Sequence, residues 1–443
     1  MNKSNMSWML SFLLLAGVLL SSCLRQDDRS DTLEEQADYT LIIYGSMGGN
    51  MEYSSESIFE ETKSLLTDKK VRVYVVYKYG MDDTTFVGKY GLPGQVVSFE
   101  LDKDTELENL RNPDEVMKDY PLYDPKSISA ALDNARKCAP AKDYVLVLFG
   151  HGGGFNPLVD YPKTHYYSTR GVVSDDYLKG MLMNMYELSQ GIEESDIPHL
   201  KAILFHNCLM GGMESMFEMT PYADYIIGTP FMLTSEDGPL VPNLIKQLRT
   251  KSDFESAARQ AIIDSKERLR KAHLKESVLA NGNVELIKVS NLQGVCDVTR
   301  ALADRICELY PVQKEAVDSA TCKTYQFLAD RNNYDLLDYS RQLARETSDD
   351  SLQALYMQMD RAFSNAIIEQ VSIDMDTLFT LPSYSMSVLI VDSVKYHSDS
   401  PLGSFTYGES YEMCGFHKAT GWGKWLGTNL CVPTGNPVGQ VFY

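Results

Sequence analysis

The feature that most constrains this chain is a series of short apolar runs, several of them followed by a stretch with helical periodicity. Strands that are buried on both faces are apolar along their whole length, whereas strands with one solvent face alternate. Apolar runs that alternate with helices predict an α/β fold with a mostly parallel sheet flanked by helices. The runs are Tyr39–Tyr44, Val71–Tyr79, Tyr144–Phe149, Ala202–Phe205 and Tyr225–Gly228.

Helical periodicity accompanies these strands and dominates the second half of the chain. The first half predicts helices at Ser54–Leu66, Ser127–Ala135, Asp176–Leu188 and Leu209–Met219. The second half predicts longer amphipathic helices at Asp253–Lys271, Gln293–Leu309 and Ser351–Glu369, and one late strand at Tyr384–Val391. We therefore expect an α/β core over residues 38–245 and a mainly helical C-terminal region with an added strand over residues 246–443, packed on that core.

The N-terminus has the pattern of an export signal. Lys3 precedes the apolar run Met9–Leu20, and two serines separate this run from Cys23. The run is too short for a membrane-spanning helix, and small residues before a cysteine are typical of a bacterial lipobox. We expect residues 1–22 to be a lipoprotein signal peptide, Cys23 to be lipidated, and residues 23–37 to be a flexible tether. The lipid would anchor the protein to the cell envelope, at the outer membrane or cell surface; a secretory signal with an incidental cysteine is the alternative.

The charge balance argues against partners that carry negative charge. The chain has 41 basic and 61 acidic residues and a net charge of −20. Such a surface repels phosphate backbones and anionic lipid headgroups. We therefore expect no nucleic-acid partner and no membrane contact apart from the lipid anchor.

Two strand ends carry residues suited to catalysis, and the carboxyl ends of strands are where ligands gather in open α/β sheets. His151 lies in a glycine-rich turn directly after the run Tyr144–Phe149. Cys208 lies just past Ala202–Phe205 and just before the predicted helix Leu209–Met219. Glycines let the backbone turn sharply and expose N–H groups, and the positive end of a helix favours a thiolate.

A cysteine near its ordinary pKa of about 8.5 needs a base before it can act as a nucleophile at neutral pH. His151 and Cys208 supply such a pair if their strands are neighbours. The backbone N–H groups of Gly152 and Cys208 are then the candidates for an oxyanion hole.

The two blocks around these residues resemble the clostripain family of cysteine peptidases, which are relatives of caspases. Phe149–Gly154 (FGHGGG) matches the histidine block, and Phe205–Gly211 (FHNCLMG) matches the nucleophile block. Weaker similarity covers Gly48–Glu52, Asp335–Asp338 and Tyr411–Leu426. The resemblance implies a caspase-like fold and an endopeptidase that cleaves protein or peptide substrates through a Cys/His dyad. It also implies no organic cofactor. We predict no metal-ligating residues, leave calcium dependence open, and expect a monomer.

One position departs from the family pattern. Relatives usually carry an Asp two residues before the nucleophile, where it helps to select Arg or Lys at the cleaved bond, and this chain has His206 there. An imidazole does not offer a carboxylate to a basic side chain, so the basic preference rests on the family alone. Glu236 and Asp237, in a later loop, are the candidates that could replace the missing charge.

Relatives are often activated by self-cleavage between the two catalytic strands. In this chain the corresponding loop contains Lys163 and Arg170, which are the candidate cleavage sites.

Three other interpretations were weighed. A zinc site at His206 and Cys208 would need one or two further ligands, and no partner pair is visible in the sequence. The GHGGG segment is also typical of lipase-type hydrolases, but the GxSxG motif that they require is missing. A lipid-anchored binding protein that keeps the peptidase fold without catalysis is the remaining alternative.

Overall fold

The computed structural model describes eleven stretches of the chain. They are residues 36–46, 52–80, 89–117, 120–155, 172–175, 181–230, 240–276, 282–328, 331–373, 387–389 and 414–429. The statements below concern these residues.

The strands form one large sheet and two small ones. They are β1 (Ala37–Gly45), β2 (Val71–Lys78), β3 (Val96–Leu101), β4 (Ala141–Phe149), β5 (Val173–Asp175), β6 (Met181–Met183), β7 (Leu200–His206), β8 (Ala223–Gly228), β9 (Gly282–Lys288), β10 (Gln326–Leu328), β11 (Arg331–Asp335), β12 (Ile367–Ile373) and β13 (Ser387–Leu389). The large sheet has the order β12-β9-β8-β7-β4-β1-β2-β3. Its five central strands, from β8 to β2, are parallel, whereas β3 and β9 are antiparallel to their neighbours and β12 is antiparallel to β9.

Helices cover both faces of the large sheet. They are α1 (Glu52–Leu65), α2 (Pro125–Cys138), α3 (Met185–Glu193), α4 (Met213–Glu218), α5 (Leu240–Thr250), α6 (Phe254–Glu276), α7 (Leu292–Lys323), α8 (Leu336–Thr347), α9 (Asp350–Ala366), α10 (Gly415–Thr420) and α11 (Trp422–Asn429). Short 3-10 turns lie at Leu107–Leu110, Pro113–Glu115 and Val289–Asn291. None of the described helices is long and apolar enough to cross a membrane.

Two apolar cores explain why the central strands are apolar along their whole length. On β1, Ile42 and Tyr44 face one core, which also contains buried side chains of α2, α3, α4 and α7 to α11. Leu41 and Ile43 face the other core, which is closed by α1, α5 and α6. Successive residues of a strand point to opposite faces, so both sets must be apolar when both faces are covered.

The predicted strands and most of the predicted helices are present. The helix predicted at Asp176–Leu188 is wrong at Met181–Met183, because these residues pair with β5 as strand β6. The helix begins only at Met185, after Asn184, which accepts a hydrogen bond from the Glu187 amide while the Glu187 carboxylate accepts one from the Asn184 amide. This reciprocal cap fixes the start of the helix.

Three strands of the large sheet, β3, β9 and β12, were not predicted. Strand β9 pairs with β8, and β12 follows directly on α9, so the helix predicted at Ser351–Glu369 ends at Ala366. The described part of the predicted late strand, Ser387–Leu389, pairs with β11 in a separate three-stranded sheet.

The Asp335–Asp338 segment has a structural role that the sequence did not reveal. Asp335 is the N-cap of α8, because its carboxylate accepts a hydrogen bond of 2.9 Å from the Asp338 amide. Asp338 in turn accepts a hydrogen bond of 2.7 Å from the amide of Tyr325, before β10. Asp335 and Asp338 therefore join the start of α8 to the three-stranded sheet of β10, β11 and β13.

Candidate active site

The strands that precede His151 and Cys208 are neighbours in the sheet. Strands β4 and β7 are parallel, and Phe149 is paired with His206. His151 and Cys208 each follow their paired residue by two positions, so both lie at the same edge of the sheet. Both are partly buried. The sheet therefore brings the two predicted catalytic residues to one edge.

Gly152 lies against the segment that carries Cys208. A Cβ atom placed on Gly152 would lie 2.3 Å from the carbonyl oxygen of Cys208 and 3.0 Å from its amide nitrogen. It would also lie 2.6 Å from the Cβ atom of Asn207. No side chain fits at such distances, so a glycine is required where the histidine loop meets the nucleophile loop.

The peptide unit between Gly150 and His151 has a hydrogen-bond partner on each of its polar atoms. Asn207 donates from Nδ2 to the Gly150 carbonyl oxygen at 3.0 Å, and the His151 amide donates to the Ser174 hydroxyl at 2.9 Å. Gly150 has φ +132°, a conformation that favours glycine, and a Cβ atom there would lie 2.8 Å from the Ser174 hydroxyl. Ser174 and Asn207 were not predicted from the sequence, in which the signal for Asn207 was its place beside Cys208.

The turn after Cys208 differs from the prediction. Leu209 has a left-handed φ of +62°, and the Gly211 amide donates to the Thr229 carbonyl oxygen at 2.6 Å. The helix expected from Leu209 begins only at Met213. The field of a helix end falls off within about one turn. Because the helix begins five residues after Cys208, its dipole is not expected to stabilise a Cys208 thiolate.

His206 lies in the interior. Its side chain is buried, and its ring centroid is 4.7 Å from that of Phe149. The other predicted pocket residues, Glu236 and Asp237, lie outside the described residues, and so do Lys163, Arg170 and Cys23. The roles predicted for these residues stay predictions.

Two of the other free thiols are chemically quiet. Burial raises the pKa of Cys296 to about 12, and burial together with the nearby Glu218 and Glu214 raises the pKa of Cys414 well above its usual range. Cys322 is exposed and Cys307 is partly buried, and both lie on α7. Cys208 is the described cysteine that follows β7, at the edge of the sheet where His151 follows β4.

The zinc alternative gains no support from the part of the chain that the structure describes. No three His, Cys, Asp or Glu side chains are grouped there so that they could hold a metal ion. His206 and Cys208 therefore have no third ligand among these residues.

Comparison with known proteins agrees with the sheet topology. The model of the clostripain family matches residues 48–390. No curated protein sequence gives a significant match.

Several solved structures are similar in fold. One is a secreted C11 cysteine protease from Bacteroides thetaiotaomicron in complex with an irreversible peptide inhibitor; it has a TM-score of 0.57 and 16% identity, and the match covers 88% of this chain and all of that one. A second is the same organism's "iotapain", a secreted C11 cysteine protease, with a TM-score of 0.56, 15% identity, and 87% and 100% coverage. A third is an inactive zymogen of a C11 protease from Parabacteroides distasonis, with a TM-score of 0.56, 16% identity, and 88% and 99% coverage. At these identities the likeness concerns the fold.

Proposed function

We propose, from the premise that this chain belongs to the clostripain family of cysteine proteases, that Cys208 is its nucleophile and His151 its general acid and base. The observation that carries the proposal is the contact of Gly152 with Cys208 at the shared edge of β4 and β7. Two residues that follow neighbouring strands and whose loops touch can act on one substrate carbonyl.

The proposed reaction is peptide-bond hydrolysis through an acyl-enzyme. The Cys208 thiolate attacks the scissile carbonyl carbon, and the N–H groups of Gly152 and Cys208 stabilise the oxyanion. The His151 imidazolium gives its proton to the leaving amine as the C–N bond breaks. The imidazole then takes a proton from water as the water oxygen attacks the thioester, and breaking the C–S bond releases the acid product and restores the Cys208 thiolate beside the His151 imidazolium.

Protein or peptide chains are the proposed substrates of this monomeric endopeptidase. The similar protease from Bacteroides thetaiotaomicron binds an irreversible peptide inhibitor, which agrees with this substrate class. Arg or Lys at the cleaved bond is the family expectation, but His206 replaces the usual pocket Asp. The preference therefore depends on whether Glu236 or Asp237 supplies a charge in the first pocket.

The maturation of the chain is also proposed. Lipidation of Cys23 would anchor the protein to the cell envelope, and self-cleavage after Lys163 or Arg170 would separate the two catalytic strands. Mass spectrometry of the protein from the membrane and soluble fractions of whole cells measures both events. A single unlipidated polypeptide that is not membrane-bound would contradict both.

A positional-scanning peptide library tests the activity and the first-pocket preference together. The wild type, Cys208→Ala and His151→Ala should be compared, with Cys322→Ser as the control because Cys322 is an exposed cysteine on α7. We expect each catalytic substitution to lower kcat/KM about a thousandfold or more and the control to have no effect.

The same experiment separates the peptidase from the non-catalytic scaffold. A scaffold would cleave no library member, and iodoacetamide would label its Cys208 no faster at neutral pH than it labels Cys322.

A further inference from the structure

The hydrogen bonds on both sides of one peptide unit suggest how the imidazole is held. A peptide unit is planar, so fixing its oxygen and its hydrogen fixes the whole plane. The plane between Gly150 and His151 is fixed in this way by Asn207 and Ser174. Its orientation sets the direction in which the His151 side chain leaves the backbone.

Asn207 places a polar amide group at a buried position. The Oδ1 atom of this amide has no hydrogen-bond partner in the part of the chain that the structure describes. Leaving a buried acceptor unpaired is unfavourable, and an apolar side chain would avoid that cost. What the amide gains is the bond from its Nδ2 to the Gly150 carbonyl oxygen, which ties the residue before the nucleophile to the residue before the histidine.

The residue after Ser174 belongs to a buried ion pair. Its neighbour Asp175 lies 2.9 Å from the Lys78 ammonium group, and both side chains are fully buried. Lys78 also donates to the Tyr120 carbonyl oxygen at 2.6 Å, and Asp175 accepts from the Leu122 amide at 3.2 Å. A buried pair with further hydrogen bonds is costly to disturb, so strand β5 presents the Ser174 hydroxyl from a fixed place.

We propose that Asn207 and Ser174 are positioning residues that clamp the Gly150–His151 peptide and thereby hold the imidazole at the Cys208 sulfur. The inference rests on the proposed Cys/His chemistry. It adds that the nucleophile loop itself orients the base, because Asn207 directly precedes Cys208. Small errors in the placement of catalytic groups cost large factors in rate, so the clamp acts on the chemical step.

The test compares variants that remove one side of the clamp. We expect Asn207→Ala and Ser174→Ala each to lower kcat about tenfold and to leave KM within about twofold. Ser174→Thr keeps a hydroxyl and should recover most of the rate. Asn207→Leu, which is closer to asparagine in size, is the second variant in case the alanine leaves a cavity.

Two matched controls lose the same kind of bond away from the site. Ser195→Ala removes a buried hydroxyl that accepts a 3.1 Å bond from the Ile197 amide. Asn291→Ala removes an amide that donates to the Asn365 carbonyl oxygen at 2.7 Å. Both controls should keep the wild-type kcat, whatever they do to the melting temperature.

The pH dependence of Cys208 alkylation separates positioning from a general loss of structure. A well-placed imidazolium favours the thiolate, so loosening it should slow alkylation at pH 6 and leave the rate at pH 9 unchanged. In both clamp variants we expect the ratio of the alkylation rate at pH 6 to the rate at pH 9 to be severalfold lower than in the wild type. The double variant Asn207→Ala/Ser174→Ala should lose less than the product of the single losses, because both residues act on one peptide.

The outcomes distinguish this inference from the proposed function. If Cys208→Ala abolishes cleavage while both clamp variants keep the wild-type kcat and alkylation ratio, the clamp is overturned and the dyad stands. If Cys208→Ala retains the wild-type rate, the proposed function itself fails. Fully multiplicative losses in the double variant would also overturn a shared clamp.

Discussion

At the scale of single residues, the candidate active site requires a residue without a Cβ atom at position 152. The Cys208 carbonyl oxygen lies so close to Gly152 that a Cβ atom at position 152 would collide with it. The candidate oxyanion donors, the amides of Gly152 and Cys208, lie on the two segments that meet at this contact. The spacing between these donors should therefore depend on the absence of a Cβ atom at position 152.

Gly152→Ala should consequently separate the two loops. A methyl group 2.3 Å from a backbone oxygen forces one loop to move, and we expect kcat/KM to fall at least a hundredfold. Gly294→Ala on α7 is the matched control, because its Cβ atom would meet nothing within 4 Å. The control should gain about 0.5 kcal/mol of stability and keep full activity. Equal kinetics for Gly152→Ala and the wild type would mean that the contact has no role in catalysis.

At the scale of secondary structure elements, β9 carries a fully buried carboxyl group into the large sheet. It is inserted between β8 and β12, and it carries Glu285 opposite Gly228 and Gln370. Glu285 is fully buried, accepts a 3.0 Å bond from the Gln370 amide, and has no partner for Oε2 among the described residues. Burial first, and the nearby Asp335 second, raise the pKa of Glu285 well above its usual range.

The raised pKa makes the stability depend on pH in a definite direction. The pKa of Glu285 is higher in the folded chain than in the unfolded chain, where it is about 4.3, so the stability falls as the pH rises past that value. We expect Glu285→Gln to raise the melting temperature by about 2 °C at pH 7 and to leave it unchanged near pH 4. The exposed Glu308→Gln should change little at either pH. A lower melting temperature for Glu285→Gln at pH 7 would contradict a raised pKa of Glu285.

The same strand shows what the sequence could and could not reveal. The central strands were predicted because two covered faces require continuous apolar runs, as in Val71–Lys78. Strand β9 was missed because Glu285 and Lys288 interrupt its apolar pattern, and β12 was missed because it continues α9 without a turn residue. His151 and Cys208 could be found from their places after apolar runs.

The partners of the two catalytic candidates could not be found in that way. The bond between Asn207 and Gly150 joins residues 57 positions apart, and the bond between Ser174 and His151 joins residues 23 positions apart. These bonds depend on the register between β4 and β7 and on the position of β5. The local periodicity of the sequence specifies neither the register nor that position.

At the scale of the whole molecule, the two halves of the chain build one sheet. Strands β9 and β12 lie beyond residue 245, and β9 pairs along β8, with Ile226 opposite Ile287 and Ile227 opposite Leu286. Helices α7 to α11 close the same core as α2, α3 and α4. The predicted boundary at residue 245 therefore falls in α5, which packs on the opposite core with buried side chains on both sides of that position.

A truncated chain tests whether the two predicted regions fold separately. The fragment 38–245 lacks β9 and β12, which leaves the apolar strand β8 as an open edge and removes the helices that cover one face of the sheet. We expect it to aggregate or to lose its near-ultraviolet circular dichroism, whereas the chain 38–443 should show one cooperative transition in calorimetry. The chain 38–443 is the control, because it removes only the predicted signal peptide and tether. A soluble 38–245 fragment with its own cooperative transition would show that the first region is an independent domain, and that the strands added by the second half do not determine its folding.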